Sequence, residues 1–471
     1  VAGHSTVGRR AVVKALGAIS ALSASGVAAA AGSVAAAKGR GAQKPNVLFI
    51  MADDMGYGDL SLTGSHHIKT PAIDSIARNG LFLRHGYANS PICSPSRTAL
   101  LSGCYQYRFA VGLDEPLGAQ ALATLGLPLD RPTLASVFRD SGYHTKLIGK
   151  WHLGEPPHHG PLQYGYDEFF GIVEGAADYF RHHMVMGGKD VGIGLARGNE
   201  ATTADGYLTD LFGDETVKTI EQAGHTPFFI SLHFNAPHWP WEGREDAELA
   251  RKQGASFHYD GGSLAAYRAM MAAMDENIGK ALDALKRSGK ADNTIVVFTS
   301  DNGGERFSET WPFTGTKGEV LEGGIRVPIL MQWPLGITAG TVSEQMMAGM
   351  DFLPTLLALA GGTPPKDLDG VDLSPQILGK AASMQRALYW RFKANDQAAM
   401  REGDWKYVKL GGKEHLFNLA QDERERADMA PDEPERLGRM RAAWAAWNAP
   451  MLPYPAGSYS ENVRDHYPDR Y

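Results

Sequence analysis

Cysteine is almost missing from this chain: Cys93 and Cys104 are the two present in 471 residues. That scarcity excludes a disulfide-built scaffold and any zinc cluster made of cysteines. A single disulfide between the pair is the ordinary alternative, but the residues from Pro95 onward read as a helix with a cysteine at either end. Eleven residues of helix separate its ends by about 16 Å, beyond disulfide reach. Cys93 is therefore read as a chemical residue and Cys104 as a buried thiol. Long apolar runs are missing as well. The stretch from Ala15 to Ala31 is rich in Ala, Ser, Gly and Val, which makes a poor membrane span. A basic excess is absent too, and the net charge of −7 argues against bulk nucleic-acid binding. An anionic ligand would then need a local positive cluster. Hydrophobic residues at 43% and charged residues at 21% are ordinary globular values, so neither disorder nor a membrane bundle is expected.

Acidic residues are missing from the first 52 positions. There, Arg9-Arg10-Ala11-Val12-Val13-Lys14 precedes the weakly apolar stretch, and small residues from Val27 to Ala37 offer A-x-A cleavage sites. This arrangement resembles a bacterial twin-arginine export signal. Residues 1–44 are accordingly read as signal and linker. The expectation is an exported, periplasmic or extracellular protein that engages an export machinery.

Four apolar runs each stop at a short polar cluster. Asn46 to Met51 leads to Asp53-Asp54, Thr145 to Ile148 to Lys150-Trp151-His152, Phe228 to Phe234 to Asn235-Ala236-Pro237-His238, and Thr294 to Thr299 to Asp301-Asn302-Gly303-Gly304. Such continuous apolar runs suit strands buried on both faces of a parallel sheet. Helical patterns lie between them, at Ile73 to Leu83, at Thr133 to Phe138 behind Pro132, and at Ser263 to Ser288 with Gly289 as the stop. Alternating strands and helices predict an α/β sandwich, with ligands gathered beyond the carboxyl ends of the strands. From about residue 376 the pattern changes. Leu388 to Phe392, Trp405 to Leu410 and Leu416 to Leu419 read as short antiparallel strands, and Met429 to Trp447 as a closing helix.

Asp53, Asp54, Asp301 and Asn302 offer only oxygen, which selects a hard cation, calcium or magnesium, over zinc. Calcium, which tolerates irregular carboxylate geometry, is the expectation. Taken singly, these pairs are turn formers. In Cys93-Ser94-Pro95-Ser96-Arg97, Pro95 suits a first helical turn, so Cys93 lies at a helix N-terminus that favours an anion. Arg97, four residues on, falls on the same helical face.

This run, continued by Thr98 to Gly103, resembles the sulfatase signature Cys-x-Pro-x-Arg. Gly149-Lys150-Trp151-His152-Leu153-Gly154, Ala236-Pro237-His238 and Gly315-Thr316-Lys317-Gly318-Glu319 are similar to three further segments of that family, in the same order. The resemblance covers about residues 45 to 420. It implies a type I sulfatase of the alkaline phosphatase superfamily: a catalytic domain at 45–375 with a large, mixed, mostly parallel sheet sandwiched by helices, and a small antiparallel sheet-and-helix subdomain at 376–471. It further implies that a maturation enzyme oxidises Cys93 to formylglycine (3-oxoalanine), whose hydrate attacks a sulfate ester. Asp53, Asp54, Asp301 and Asn302 become ligands of one metal ion. Arg97, Lys150, His152, His238 and Lys317 complete the catalytic set, with His152 the base and either His238 or Lys317 the acid for the departing alcohol. A sulfated small molecule or glycan is the implied substrate. The alternatives are a phosphonate or phosphate monoester hydrolase of the same superfamily, which tends to carry His where Asn302 stands, and a non-catalytic glycan-binding protein on the same fold. His158, His159, Tyr179, Arg181, His182, His183, Trp239 and Trp241 are candidates for the pocket wall.

Overall fold

The computed structural model describes residues 43–186, 189–253 and 262–463. The twin-arginine stretch lies outside the described residues. Among those described, no helix is long and apolar enough to cross a membrane. Residues 44 onward form one compact unit.

The four apolar runs are strands: β1 (Asn46–Ala52), β2 (His144–Gly149), β3 (Phe228–His233) and β4 (Thr294–Ser300). They stand side by side in the order β4-β1-β3-β2 at the centre of a ten-stranded sheet, and all their pairings are parallel. Their register decides where the site lies. Ala52 is level with Ser300, Met51 with His233, and His233 with Gly149. All four polar clusters therefore leave the sheet at one edge. Ile329–Gln332, Leu81–Leu83 and Thr341–Ser343 extend the sheet beyond β4, and Glu168–Ile172, Leu195–Arg197 and Glu200–Ala201 extend it beyond β2. Several of these outer pairings are antiparallel, so the sheet is mixed and mostly parallel at its centre.

Successive side chains of β1 point to opposite faces and enter separate cores. Leu48, Ile50 and Ala52 pack with Phe212, Met271, Met274 and Ile278, the last three on helix α2 (Leu264–Arg287). Val47, Phe49 and Met51 pack with Leu100 and Leu101 of helix α1 (Cys93–Ser102) and with Phe138 and Phe352. Helix α2 begins where expected, because the Ser263 side chain accepts the N–H of Ala266.

The helix expected over Ile73 to Leu83 stops at Arg78, and Leu81–Leu83 is a strand. Gly80 explains the break, since a Cβ there would sit 2.0 Å from the Met331 carbonyl oxygen of the neighbouring strand. The C-terminal strands form an antiparallel sheet as expected, with one more member, Gln397–Glu402, between the first two. Its small and charged residues carry little strand propensity, so its neighbours recruit it. The closing helix α3 runs over Pro434–Asn448, with Pro434 in its first turn. It therefore starts later than Met429. Trp390, Phe392 and Val408 of this sheet share a core with Tyr87, Ile92 and Cys93, so the small sheet buttresses the Cys93 end of α1.

Both cysteines are free and buried. Cys104 lies beside Arg131, whose Nη2 approaches its sulfur at 3.3 Å.

Candidate active site

Short backbone bonds fix the four strand ends against one another. The Asp53 N–H donates to the Ala236 carbonyl at 3.1 Å, Asp301 N–H to Ala52 at 3.1 Å, and Lys150 N–H to His233 at 2.8 Å. Asp54 and His152 both hold left-handed backbone, at φ 63° and 59°. Non-glycine residues seldom adopt it, and where they do at a strand end it re-aims the side chain. Gly175 faces His152 because nothing larger fits; a Cβ there would lie 2.5 Å from the imidazole Cε1.

Cys93 is the first residue of α1, and Pro95 lies in its first turn. Two serines of the motif, to which sequence reasoning assigned no role, organise its surroundings. Ser96 Oγ donates to the Ser90 carbonyl at 2.8 Å, which ties the approach to the helix. Ser94 Oγ accepts the Leu117 N–H at 2.7 Å, and the Leu117 carbonyl in turn lies 3.0 Å from His152 Nε2. A carbonyl can only accept, so His152 carries its proton on Nε2 and presents Nδ1 as an acceptor. Nδ1 is buried and has no hydrogen-bond partner.

Behind Cys93, buried cations are paired with buried carboxylates. Lys150 Nζ donates to Asp53 Oδ2, and Lys317 Nζ donates to Asp54 Oδ2 at 2.7 Å. Arg97 Nε donates to Asp301 Oδ2 at 3.0 Å, and its Nη1 to the Lys150 carbonyl at 3.1 Å. Asn302 Nδ2 donates to Asp54 Oδ1 at 2.7 Å. Glu305, which the sequence reading passed over, is buried and accepts from Lys317 at 3.2 Å. Its place three residues after Asn302 was the available signal. His238 Nδ1 lies 2.7 Å from the Trp239 carbonyl, so that nitrogen carries the proton and Nε2 faces Lys317 Nζ at 3.5 Å. Tyr179 steadies this turn from beneath, its hydroxyl 2.9 Å from both the Asn235 and His238 carbonyl oxygens.

Burial sets the protonation of these groups. It raises the Asp53 carboxyl well above the usual range, reinforced by the Asp301 charge and opposed by Lys150 and Arg97. Burial alone would raise Asp54 as well, but the Lys317 charge holds it below the usual carboxylate range. Glu305 is pushed up by burial and by Asp54 in spite of Lys317. Burial drives His152 and His238 well below the usual imidazole range, so both are neutral near pH 7; the Lys150 charge adds to this at His152. Burial also pushes the Cys93 thiol up, against the pull of Lys150 and Lys317. Burial alone would lower Lys317, but Asp54, then Cys93, Glu305 and Glu461, together hold it protonated.

Ligand atoms of Asp53, Asp54, Cys93 and His238 all lie within 4.8 Å of one another. Asp301 joins this group through the Asp54 N–H, and Asn302 through its own amide. Asp53 Oδ1 and Asn302 Oδ1 are buried oxygens with no hydrogen-bond partner. Buried oxygens left in that state are what a hard cation satisfies, so the residues present fit one.

A pocket of about 480 Å³ opens in front, with Cys93, His152, His238 and Lys317 at its inner end. Of the candidate wall residues, Trp239 lines it. Arg181 pairs with Asp190, His182 bonds the Gly206 carbonyl, His159 bonds the Tyr164 hydroxyl, and Trp241 packs on Phe307. Their polar and aromatic character is thus used within loops elsewhere. The lining also includes Leu117, Leu122, Met184, Tyr459 and Glu461.

Comparison with known proteins agrees with this geometry. The Sulfatase family profile matches residues 45–362, and the profile of the N-sulphoglucosamine sulphohydrolase C-terminal region matches 316–435. N-acetylgalactosamine-6-sulfatase of Homo sapiens is 34% identical over 374 residues, covering 74% of this chain and 68% of the relative. Arylsulfatase A of Bos taurus is 33% identical over 398 residues, covering 78% and 75%. The solved structure of Ps i-CgsB in complex with k-i-k-neocarrahexaose superposes with a TM-score of 0.77 at 29% identity, over 90% of this chain and 96% of that one. A profile match that spans the site residues from Asp53 to Lys317, and relatives at this identity along most of the chain, place it in the sulfatase family, as a sulfuric ester hydrolase.

Proposed function

We propose that the chain hydrolyses a sulfate monoester on a carbohydrate, with Cys93 converted to formylglycine and one calcium ion held by Asp53, Asp54, Asp301 and Asn302. The observation that carries the reading is the state of Cys93. It sits at the inner end of the pocket beside Lys317, yet burial keeps it a thiol, and a thiol is a poor nucleophile. Oxidised to the aldehyde, this position supplies a hydrated carbon whose hydroxyl serves as nucleophile. A calcium ion supplies fixed positive charge that polarises the sulfate oxygens.

The chain's own residues do the remaining work. Lys150 and Lys317 bring positive charge to the anion end of the pocket. Arg97 braces Asp301 and the Lys150 backbone so that the carboxylates keep their places. His152 Nδ1, an unprotonated acceptor, is suited to take a proton from the nucleophilic hydroxyl. Of the two candidates for the acid, Lys317 arrives with a proton and His238 Nε2 without one, so Lys317 protonates the departing alcohol and His238 positions it. The carbohydrate assignment is supported by the relatives: one is named for N-acetylgalactosamine 6-sulfate, and another was solved with k-i-k-neocarrahexaose. Asn302 favours sulfate over phosphate, because a neutral amide adds no positive charge for a second negative charge on the ester. The twin arginines support an exported enzyme.

The test is turnover of sugar and aryl sulfates beside the matching phosphates, on protein whose Cys93 peptide has lost about 18 Da, the mass change of thiol to aldehyde. kcat/KM is expected to favour sulfate by about 100-fold or more, roughly 3 kcal/mol in transition-state binding. Cys93→Ala is expected to abolish turnover and keep the melting temperature. Equal or reversed preference moves the chain to the phosphatase or phosphonate branch, and full activity with an unmodified Cys93 removes the aldehyde from the account.

A further inference from the structure

The far wall of the pocket is made by a segment beyond the reach of both family profiles, the second of which ends at residue 435. After α3 the chain turns back toward the catalytic domain, where the Leu452 N–H donates to the Tyr107 carbonyl at 3.0 Å. Residues 459–461 then pair with Glu115: its N–H donates to the Tyr459 carbonyl at 3.0 Å, and the Glu461 N–H donates to the Glu115 carbonyl at 2.6 Å. The Glu115 side chain anchors the same segment, taking the Tyr454 hydroxyl at 2.5 Å and Ser460 Oγ at 2.7 Å. Val463 is buried against Gly318, where a Cβ would lie 2.9 Å from its Cγ2. The tail is thus pinned on both sides of Tyr459 and Glu461, the two residues it contributes to the pocket.

Those two residues stand opposite a lining that is otherwise apolar away from the reacting end. Pro116, Leu117, Ala119, Leu122, Met184 and Trp239 offer no charge, and Glu461 is the one carboxylate among the described lining residues. It lines the same pocket as Lys317. The Tyr459 ring is 52% exposed, enough to offer a face to a sugar ring.

We infer that Tyr459 and Glu461 form the subsite for the alcohol portion of the substrate, and that Glu461 selects esters whose neighbouring groups are hydroxyls or cations over esters flanked by a second anion. This deepens the sulfate-ester reading and rests on it. A carboxylate accepts hydrogen bonds from sugar hydroxyls. A second sulfate or a carboxylate at the same place meets a like charge beside apolar walls, where screening is weak.

The experiment compares kcat/KM for two aryl sulfates that differ by a ring carboxylate beside the ester, and for a matched pair of sugar mono- and disulfates. The formylglycine-bearing full chain is compared with Glu461→Gln. Wild type is expected to prefer the singly charged member of each pair by about tenfold or more, and Glu461→Gln to shrink that preference by about tenfold, or roughly 1.4 kcal/mol. Rising salt is expected to weaken the wild-type preference alone. Glu461 anchors the tail through its backbone, so the amide variant keeps the wall, and an unchanged melting temperature verifies this. An unchanged preference in Glu461→Gln overturns the subsite and leaves the sulfatase reading standing. Absence of turnover of every sulfate ester by wild type overturns that reading, and the subsite with it.

Discussion

The inner end and the far wall of the pocket are built in opposite ways. The inner end is assembled from four strand ends and one helix N-terminus, and its aspartates are buried and paired with Arg97, Lys150 and Lys317. The wall is apolar loop plus a tail, held by backbone bonds to Glu115 across more than 300 residues of sequence. Removing one member of a buried charge cluster strands its partner in a low dielectric, whereas removing one wall contact leaves others in place. Chemistry is therefore expected to be brittle at the inner end and substrate choice adjustable at the wall.

The largest effect that would sharpen this contrast comes from Asp301. Asp301→Ala leaves the buried Arg97 guanidinium without its nearest carboxylate and removes a proposed cation ligand. Activity is expected to fall by at least about 1,000-fold, and stability by about 3–5 kcal/mol. Chelation should abolish activity in wild type, with calcium restoring it better than zinc, and calcium should fail to rescue the variant. A chelated, metal-free enzyme at full activity would break the comparison at its strongest point.

A smaller and more selective effect belongs to Lys317. Lys317→Ala is expected to lower kcat/KM on sugar sulfates by about 100- to 10,000-fold, the range for loss of a general acid. The loss should be about tenfold smaller on an aryl sulfate whose phenol departs without help. His238→Ala, which removes the proposed positioning residue, should lower both substrates alike. If His238→Ala shows the leaving-group dependence instead, the proton assignment drawn from its tautomer is reversed.

The smallest effect lies at the wall. Burial raises the Glu115 carboxyl from 4.5 to about 7, opposed by its hydrogen bonds from Tyr454, Lys393 and Ser460. A carboxyl whose folded value exceeds its unfolded value binds more protons in the folded state between the two. Stability is then lost as pH rises from about 4.5 through about 7, by at most about 3 kcal/mol. Hydrogen exchange of the 452–463 segment is expected to speed up over that range in wild type, beyond its intrinsic pH dependence, and to do so less in Glu115→Gln. Equal profiles for the two proteins would mean that the tail is held by its backbone bonds alone.

The sequence made the inner end legible because its information is local. A buried strand announces itself by a continuous apolar run, and the polar residues that follow fall at its carboxyl end. Pro95 marked a first helical turn two residues after Cys93, and the sulfatase resemblance named Asp53, Asp54, Lys150, His238 and Lys317, which now stand around that cysteine. Misreadings arose where a local pattern met a distant demand. Leu81 to Leu83 continues a helical spacing, yet the strand at Ile329–Gln332 claims it.

Sequence alone thus determined the fold class, most of the charged cluster and, through the resemblance, the family. Tertiary structure decided the rest. The registers of β1 with β3 and β4, and of β3 with β2, set all the clusters at one edge, and pairing partners cannot be read from either strand by itself. A carbonyl of Leu117, ordered by Ser94, chose the tautomer of His152. Burial beside Asp54 raised Glu305, a residue with no motif to mark it. Tyr459 and Glu461 reached the pocket because the tail docks on Glu115. Contacts between such distant residues leave no periodicity and no spacing in the chain, because only the packed fold brings them within bonding distance.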